Sequence, residues 1–164
     1  EENLPLRVIS GAEIRYTPMT LSMLLDRRIP TLGDSEYVLL EFWGTVDRGT
    51  FENAISQLFR HGFLPVVAHV ERYRLFWQDL SFLKAIKEKY DVCYQMNCDF
   101  ALKHNLSASL LVRRLIHNQI ADIWATDAHN LVTRPPRMAE AFQFFSERKN
   151  RKALEMFVTE GRFC

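Results

Sequence analysis

The chain carries five short runs in which hydrophobic residues follow one another instead of alternating with polar ones. Runs of this kind, rich in branched and aromatic side chains, are typical of strands buried on both faces, as in a parallel sheet. Helical patterns separate the runs. We therefore predict five strands, at Leu6–Ile9, Tyr37–Phe42, Leu64–His69, Val92–Asn97 and Ala121–Asp127.

The segments between the runs show the apolar spacing of one helix face. Between Phe51 and Phe59 apolar residues recur at i, i+3, i+4, i+7 and i+8, and Gly62 follows where a helix would end. A helix around residues 110–116 has Asn105 or Ser107 as its cap. Strands that alternate with helices predict an α/β fold built around a parallel sheet. Further helices are predicted at 20–28, 80–86, 138–145 and 153–157.

Length and composition indicate one domain over residues 1–164. Hydrophobic residues make up 48% of the 164, which is enough for a packed core. The net charge of +1 gives no general attraction to nucleic acid or to an anionic membrane. No apolar run approaches the roughly 20 residues of a membrane span. We expect no nucleic-acid partner and no membrane insertion, and homo-oligomer formation stays open.

The chain starts at Glu1 without an initiator Met or a signal peptide, so we expect that N-terminal sequence is missing. Its cysteines are Cys93, Cys98 and Cys164. An odd number without a Cys-x-x-Cys pair suggests neither a disulfide framework nor a zinc knuckle. Three free thiols favour a reducing compartment, and we expect the cytoplasm.

Polar residues recur at the ends of the predicted strands. Successive members of this series are 28, 28, 28 and 30 residues apart. A (β/α)₈ barrel has about 31 residues per unit, and its active site is built from the carboxyl ends of several strands. The spacing therefore predicts that the series meets at one site. Its members are Glu13, Glu41, His69, Asn97 and Asp127.

The chemistry of the set favours a metal site. Oxygen and imidazole ligands without thiolates suit manganese, iron or zinc, often as a cluster bridged by carboxylates. In an extended Asp127-Ala128-His129 segment, the first and third side chains would lie on the same side. The predicted metal ligands are Glu13, Glu41, His69, Asp127 and His129.

Two arginines stand near these residues, and each has an alternative interpretation. Arg72 follows His69 by three residues and Arg134 follows His129 by five. A guanidinium group donates two parallel hydrogen bonds, which matches phosphate. Taken singly, each arginine could be a solvated loop charge, a carboxylate could be part of an ion pair, and His69 could be a core residue. The recurrence at barrel period favours the site.

Other phosphatase and hydrolase classes lack their motifs here. A cysteine phosphatase needs an arginine six residues after its nucleophile, but Asp99 follows Cys93 and His104 follows Cys98 at that distance. No Gly-x-Ser-x-Gly elbow or P-loop is present.

Four motifs resemble the PHP (polymerase and histidinol phosphatase) superfamily, and most closely its bacterial capsule-locus protein-tyrosine phosphatases, which use manganese. The resemblance implies a distorted (β/α)₇ barrel with a three-metal cluster. It implies that the five predicted ligands bind metal and that Arg72 and Arg134 hold the substrate phosphate. The motifs are Gly11-Ala12-Glu13-Ile14-Arg15, Leu39-Leu40-Glu41-Phe42, Val67-Ala68-His69-Val70-Glu71-Arg72 and Thr126-Asp127-Ala128-His129-Asn130.

The family's first strand carries a His-x-His motif that this chain does not contain. We therefore expect the C-terminal part of a distorted (β/α)₇, TIM-like barrel, with the N-terminal strands missing. Five strands cannot close such a barrel. We expect either an open, crescent-like sheet with a depleted metal site, or another chain that covers an exposed edge.

The resulting hypothesis is a metal-dependent phosphomonoesterase that acts on phosphotyrosine in a protein. Its partner would be a bacterial tyrosine autokinase of capsular or exopolysaccharide synthesis. Another PHP activity, such as histidinol-phosphate phosphatase, is one alternative. A truncated barrel that serves as a non-catalytic module is the other.

Overall fold

A five-stranded parallel sheet organises the computed structural model, which describes residues 8–103 and 105–157. The strand order equals the chain order, and every neighbouring pair is parallel. The α/β class with a parallel sheet is thereby confirmed. The strands are β1 (Glu13–Arg15), β2 (Tyr37–Glu41), β3 (Leu64–Val67), β4 (Cys93–Asn97) and β5 (Ile123–Ala125).

Helices connect the strands, and each of the six predicted from apolar spacing is present. The short α3 and α5 were not predicted, and neither were the 3₁₀ turns at Leu32–Asp34 and Val70–Arg72. Segments of three to five residues are too short to show a helical period. The α-helices are α1 (Thr20–Leu25), α2 (Arg48–Arg60), α3 (Arg74–Gln78), α4 (Leu80–Tyr90), α5 (Cys98–Ala101), α6 (Leu106–His117), α7 (Met138–Glu147) and α8 (Arg151–Glu155).

The first strand corrects the prediction. Of the predicted Leu6–Ile9, residues 6 and 7 lie outside the described residues, and 8 and 9 are not in a strand. The strand is instead Glu13–Arg15, whose only buried residue is Ile14. Cross-strand contacts hold this edge, because Arg15 pairs in register with Glu41 and binds its carboxylate at 2.7 Å. Glu13 therefore begins its strand and does not end it.

The sequential order distinguishes this sheet from a doubly wound one. Each βα unit advances by one position in the same direction, whereas a doubly wound sheet reverses at a switch point. Right-handed crossovers in one direction place the connecting helices on one face. Within the described part of the chain, β1 and β5 are the two edges and no ladder joins them. The sheet is open, as expected for five strands.

The core lies between the sheet and its helices. All five residues of β4 are buried, including the polar Gln95 and Asn97. An aromatic cluster fills the centre, where Phe76 packs edge to face on Tyr94 with ring centroids 4.9 Å apart and on Phe51 at 6.1 Å. None of the helices among the described residues is long and apolar enough to cross a membrane.

Candidate metal centre and adjoining cleft

Three predicted ligands converge at the carboxyl ends of β2 and β3. One side-chain ligand atom from each of Glu13, Glu41 and His69 lies within 4.8 Å of the others. His69 Nε2 is 2.9 Å from Glu13 Oε1 and 3.6 Å from Glu41 Oε1. Two ligands at about 2.1 Å from one ion stand up to about 4 Å apart. Small side-chain rotations would therefore bring these three atoms onto a single cation.

Glu41 divides its two oxygens between two partners. Oε2 accepts hydrogen bonds from Arg15 Nε at 3.1 Å and Nη2 at 2.7 Å, while Oε1 faces His69. The ion pair that the sequence left open for a carboxylate is thus present, between Arg15 and Glu41. One oxygen of Glu41 remains directed into the cluster.

Backbone geometry directs His69 into the site. The residue follows β3 in the left-handed conformation, with φ 35° and ψ 54°, and precedes the Val70–Arg72 turn. Its side chain is 1% exposed. The backbone N–H donates to Gln95 Oε1 at 2.7 Å, which secures this uncommon conformation.

Tyr73 holds the far side of the imidazole. Its hydroxyl lies 3.3 Å from His69 Nδ1 and accepts the N–H of Phe42 at 3.1 Å. The hydroxyl still has its own proton and one lone pair, so it can donate to Nδ1 or accept from it. When Nε2 binds a cation, Nδ1 must carry the proton. Tyr73 accommodates either imidazole tautomer without losing the hydrogen bond.

A directional chain of amides links His69 to Asp127 across β4. Gln95 Oε1 accepts the His69 N–H, Gln95 Nε2 donates to Asn97 Oδ1 at 2.8 Å, and Asn97 Nδ2 donates to Asp127 Oδ2 at 3.0 Å. Both amides are buried, at 4% and 5% exposure. A backbone N–H can only donate and a carboxylate can only accept, so the two ends determine the orientation of both amides.

Asp127 joins this chain to the two predicted arginines. Its Oδ2 accepts from Arg72 Nη2 at 2.5 Å and also pairs with Arg134 Nη2. Burial acts to raise the pKa of Asp127, but the hydrogen bond from Asn97 and the two guanidinium charges together hold it below its usual range. Two arginines that reach one carboxylate oxygen are close enough to share one phosphate.

The electrostatics tie the two halves of the site together. The hydrogen bond from His69 lowers the pKa of Glu13, against burial, which raises it. Arg72 also lowers this pKa and Asp127 raises it. The charge of Asp127, in the loop after β5, therefore changes the pKa of Glu13 in β1.

His129 lies at the rim, and its expected geometry was wrong. Asp127 has φ 51°, so the Asp127-Ala128-His129 segment turns and is not extended. The imidazole is 55% exposed, with Nδ1 3.6 Å from Asp127 Oδ1 and Nε2 2.9 Å from Arg134 Nη1. It is therefore beside Asp127 but outside the Glu13, Glu41 and His69 cluster. The left-handed turn depends on contacts around Asp127 that an extended pattern does not contain.

A cleft of about 460 Å³ opens beside Asp127, between the carboxyl ends of β3, β4 and β5. Glu71 lines the cleft; it is 5% exposed and accepts the Asn97 N–H at 3.3 Å. Burial raises the pKa of Glu71 to about 7. Arg72, Arg134, Asp127, Phe100 and Lys103 also line the cleft.

Sequence reasoning missed Gln95, Tyr73, Glu71 and Phe100. Gln95 had a visible signal, since it is polar in the middle of a buried run. The importance of the other three depends on contacts made only in the folded chain.

Comparison with known proteins finds similarity to proteins of capsular polysaccharide synthesis. The model of the family CpsB/CapC, described as capsular polysaccharide synthesis, matches residues 1–161. Tyrosine-protein phosphatase CpsB of Streptococcus pneumoniae is 32% identical over 166 residues, which cover 96% of this chain and 67% of the relative. Tyrosine-protein phosphatase YwqE of Bacillus subtilis is 30% identical, covering 98% of this chain and 63% of the relative.

A solved structure agrees with these sequence relatives. It comes from work on YwqE of Bacillus subtilis and CpsB of Streptococcus pneumoniae, described as unique metal-dependent tyrosine phosphatases. It superposes with a TM-score of 0.81 at 27% identity and covers 94% of this chain and 63% of the solved one. The chain thus spans about two thirds of the length of the relatives it matches.

Proposed function

The chain belongs to the CpsB/CapC family of capsular polysaccharide synthesis, and from this premise we propose that it acts in a metal-dependent phosphatase of phosphotyrosine proteins. Relatives at 32% and 30% identity are tyrosine-protein phosphatases, and the similar structure is of a metal-dependent one. One observation carries the proposal: Glu13, Glu41 and His69 converge on one site. Asp127, which forms ion pairs with two arginines, lies beside it.

The proposed metal ligands are the three clustered residues together with Asp127 and His129. Oxygen and imidazole donors fit manganese, and they also fit iron or zinc. A bound multinuclear centre would activate a water for attack on phosphorus and offset charge on the phosphate. We place the five strands in a distorted (β/α)₇ barrel, which the sequential strand order supports.

Arg72 and Arg134 are proposed to bind the phosphate. In the structure both guanidinium groups share Asp127 Oδ2. When the Asp127 carboxylate turns toward a metal, both groups are free to donate to phosphate oxygens. Their positive charges then stabilise the charge that develops on the transferring phosphoryl group. The amide chain through Gln95 and Asn97 links Asp127 to His69.

The proposed substrate is the phosphotyrosine of a tyrosine autokinase in polysaccharide synthesis. The family description and the names of the relatives support this assignment. A histidinol-phosphate phosphatase would require a preference for a small alkyl phosphate, which the experiment below measures.

The test uses the full-length protein with manganese and a phosphotyrosine peptide. We expect hydrolysis that EDTA abolishes and that a thiol alkylator leaves unchanged, since Cys93 and Cys98 are buried. His69→Ala should abolish turnover, and Arg134→Ala should mainly raise KM. Metal-independent hydrolysis, or a higher kcat/KM for histidinol phosphate than for the peptide, would contradict the proposal.

A further inference from the structure

The cleft beside Asp127 is lined by an aromatic residue, Phe100, that the phosphate chemistry does not use. Arg72, Arg134 and Phe100 of α5 all line this cleft. Building on the function proposed above, we propose that Phe100 forms a subsite for the aryl ring of the substrate. The cleft then selects aryl phosphates over alkyl phosphates, which would account for a preference for phosphotyrosine over phosphoserine.

The ring of Phe100 is supported from behind. It packs edge to face on Trp77, with centroids 6.2 Å apart and an interplanar angle of 87°. Trp77 is itself anchored, because its Nε1 donates to the Glu71 carbonyl at 2.9 Å. A ring held this way loses little freedom when a ligand packs on its remaining surface.

Size and composition fit one aromatic ring. The volume of about 460 Å³ lies in the range of small-molecule pockets. Among the described side chains that line the cleft, Phe100 is the only aromatic one. A phosphate held by the two arginines would place its ester group in the same cleft that Phe100 lines. Aromatic pairs add attraction beyond simple burial of area, so a phenyl ester gains more there than a propyl ester.

The charges around Phe100 suit a phosphopeptide. Lys103 Nζ lies 4.9 Å from the ring centroid, and the side chain is exposed on a flexible stem. It can swing to the phosphate or to a carboxylate beside the phosphotyrosine. The acidic Asp99 also lines the cleft. It pairs with Arg137 at 3.4 Å, which reduces its repulsion of an anionic ligand.

The experiment compares phenyl phosphate with n-propyl phosphate on the manganese-loaded full-length protein. Phe100→Ala should lower kcat/KM for phenyl phosphate about tenfold more than for propyl phosphate, mainly through KM. Phe100→Tyr should keep the parent's ratio of kcat/KM for phenyl phosphate to kcat/KM for propyl phosphate. Phe100→Leu should give a ratio between those of the parent and Phe100→Ala. Phe142→Ala, which removes a half-exposed ring from α7, is the matched control and should leave the ratio unchanged.

Thermal melting of each variant separates a folding defect from the loss of the subsite. Phe100→Leu serves the same purpose, because it keeps most of the apolar volume and removes the ring. Equal losses on both substrates, or no loss on either, would overturn the subsite. If the parent protein hydrolyses neither ester, the phosphotyrosine peptide of the earlier test decides the proposed function. The subsite is then decided by binding, from the calorimetric affinity ratio of phenylphosphonate to propylphosphonate. A ratio that Phe100→Ala leaves unchanged would refute it.

Discussion

At the scale of single residues, His69 concentrates the constraints of the site. A non-glycine residue in the left-handed region costs about 1–3 kcal/mol and persists only where its surroundings impose it. Gln95 imposes it by accepting the backbone N–H, and Tyr73 holds the imidazole from the opposite side. The turn directs Nε2 toward Glu13 and Glu41, so the strain serves to aim the side chain.

Replacing Gln95 by Glu tests the amide chain. The carboxylate would still accept the His69 N–H, but it could no longer donate to Asn97 Oδ1. Asn97 would then lose its orientation toward Asp127. Loss of groups that orient metal ligands typically weakens metal affinity about 10–100-fold. We expect a loss of that size in manganese affinity, measured by calorimetry on the full-length protein. Gln143→Glu on exposed α7 is the control, and equal affinities for both variants would disprove the role of the chain.

Glu71 makes stability depend on pH in the metal-free protein. Its pKa rises from 4.5 to about 7 on burial, so the folded state keeps a proton that the unfolded state loses. The resulting stabilisation is complete below pH 4.5 and disappears as pH rises through about 7. Glu71→Gln removes this titration and retains an acceptor for the Asn97 N–H.

We therefore compare the free energy of unfolding of Glu71→Gln with that of the parent. The difference should shift in favour of the variant by roughly 3 kcal/mol as the pH rises through this window. Urea unfolding in EDTA, below pH 4.5 and above pH 7, measures the difference. Glu88→Gln on the exposed face of α4 makes the same chemical change at the surface. A pH-independent difference for Glu71→Gln would show that the group is not buried as described.

At the scale of elements, parallel pairing creates the site. Parallel strands bring their carboxyl ends to one edge of the sheet, where loops of irregular backbone can present polar groups. Glu41 is the last residue of β2, His69 lies two residues after β3, and Asp127 lies two residues after β5. Glu13 and His69, which are 56 positions apart in sequence, thus become neighbours.

Helix capping gives an element-level prediction at α6. Asn105 Oδ1 accepts the Ala108 N–H at 2.8 Å, so Asn105 and not Ser107 is the cap. Asn105→Ala should lower the free energy of unfolding by about 1 kcal/mol, because an N-terminal amide loses its partner. Asn105→Asp should preserve stability. Ser107→Ala is the control in denaturant unfolding, and a loss equal to that of Asn105→Ala would contradict this assignment.

At the scale of the whole molecule, the cluster brings the carboxylates of Glu13 and Glu41 close together. A cation that binds only the folded state stabilises it by RT ln(1 + [L]/Kd), about 2.7 kcal/mol at one hundred times Kd. For a protein of this size class that corresponds to a rise in Tm of about 5–10 °C. Calorimetry of the full-length protein with manganese should show the rise, and EDTA should reverse it.

His69→Ala should remove most of this rise, because it deletes the imidazole at the centre of the three-residue cluster. The exposed His61 at the end of α2 provides the matched control, as His61→Ala. A manganese-induced rise that is the same in His69→Ala and in the parent would place the metal elsewhere.

The sequence by itself determined the α/β class, four of the five strands and the longer helices. Strands buried on both faces require consecutive apolar residues, and helices packed on one face require a period of 3.6, so both appear in the pattern. The convergence of Glu41 and His69 was also predictable, since parallel strands of equal period repeat their ends at equal intervals. Glu13 joins them although it begins β1 and does not end it.

Only the tertiary structure decided the rest. β1 has one apolar residue and exists through its pairing with β2, so its own pattern could not reveal it. The left-handed turn at Asp127 and the amide chain from His69 through Gln95 depend on partners 26 to 30 residues away. Hydrophobic periodicity records which face of an element is buried. It does not record which polar atoms meet there, because a hydrogen bond depends on position to within tenths of an ångström.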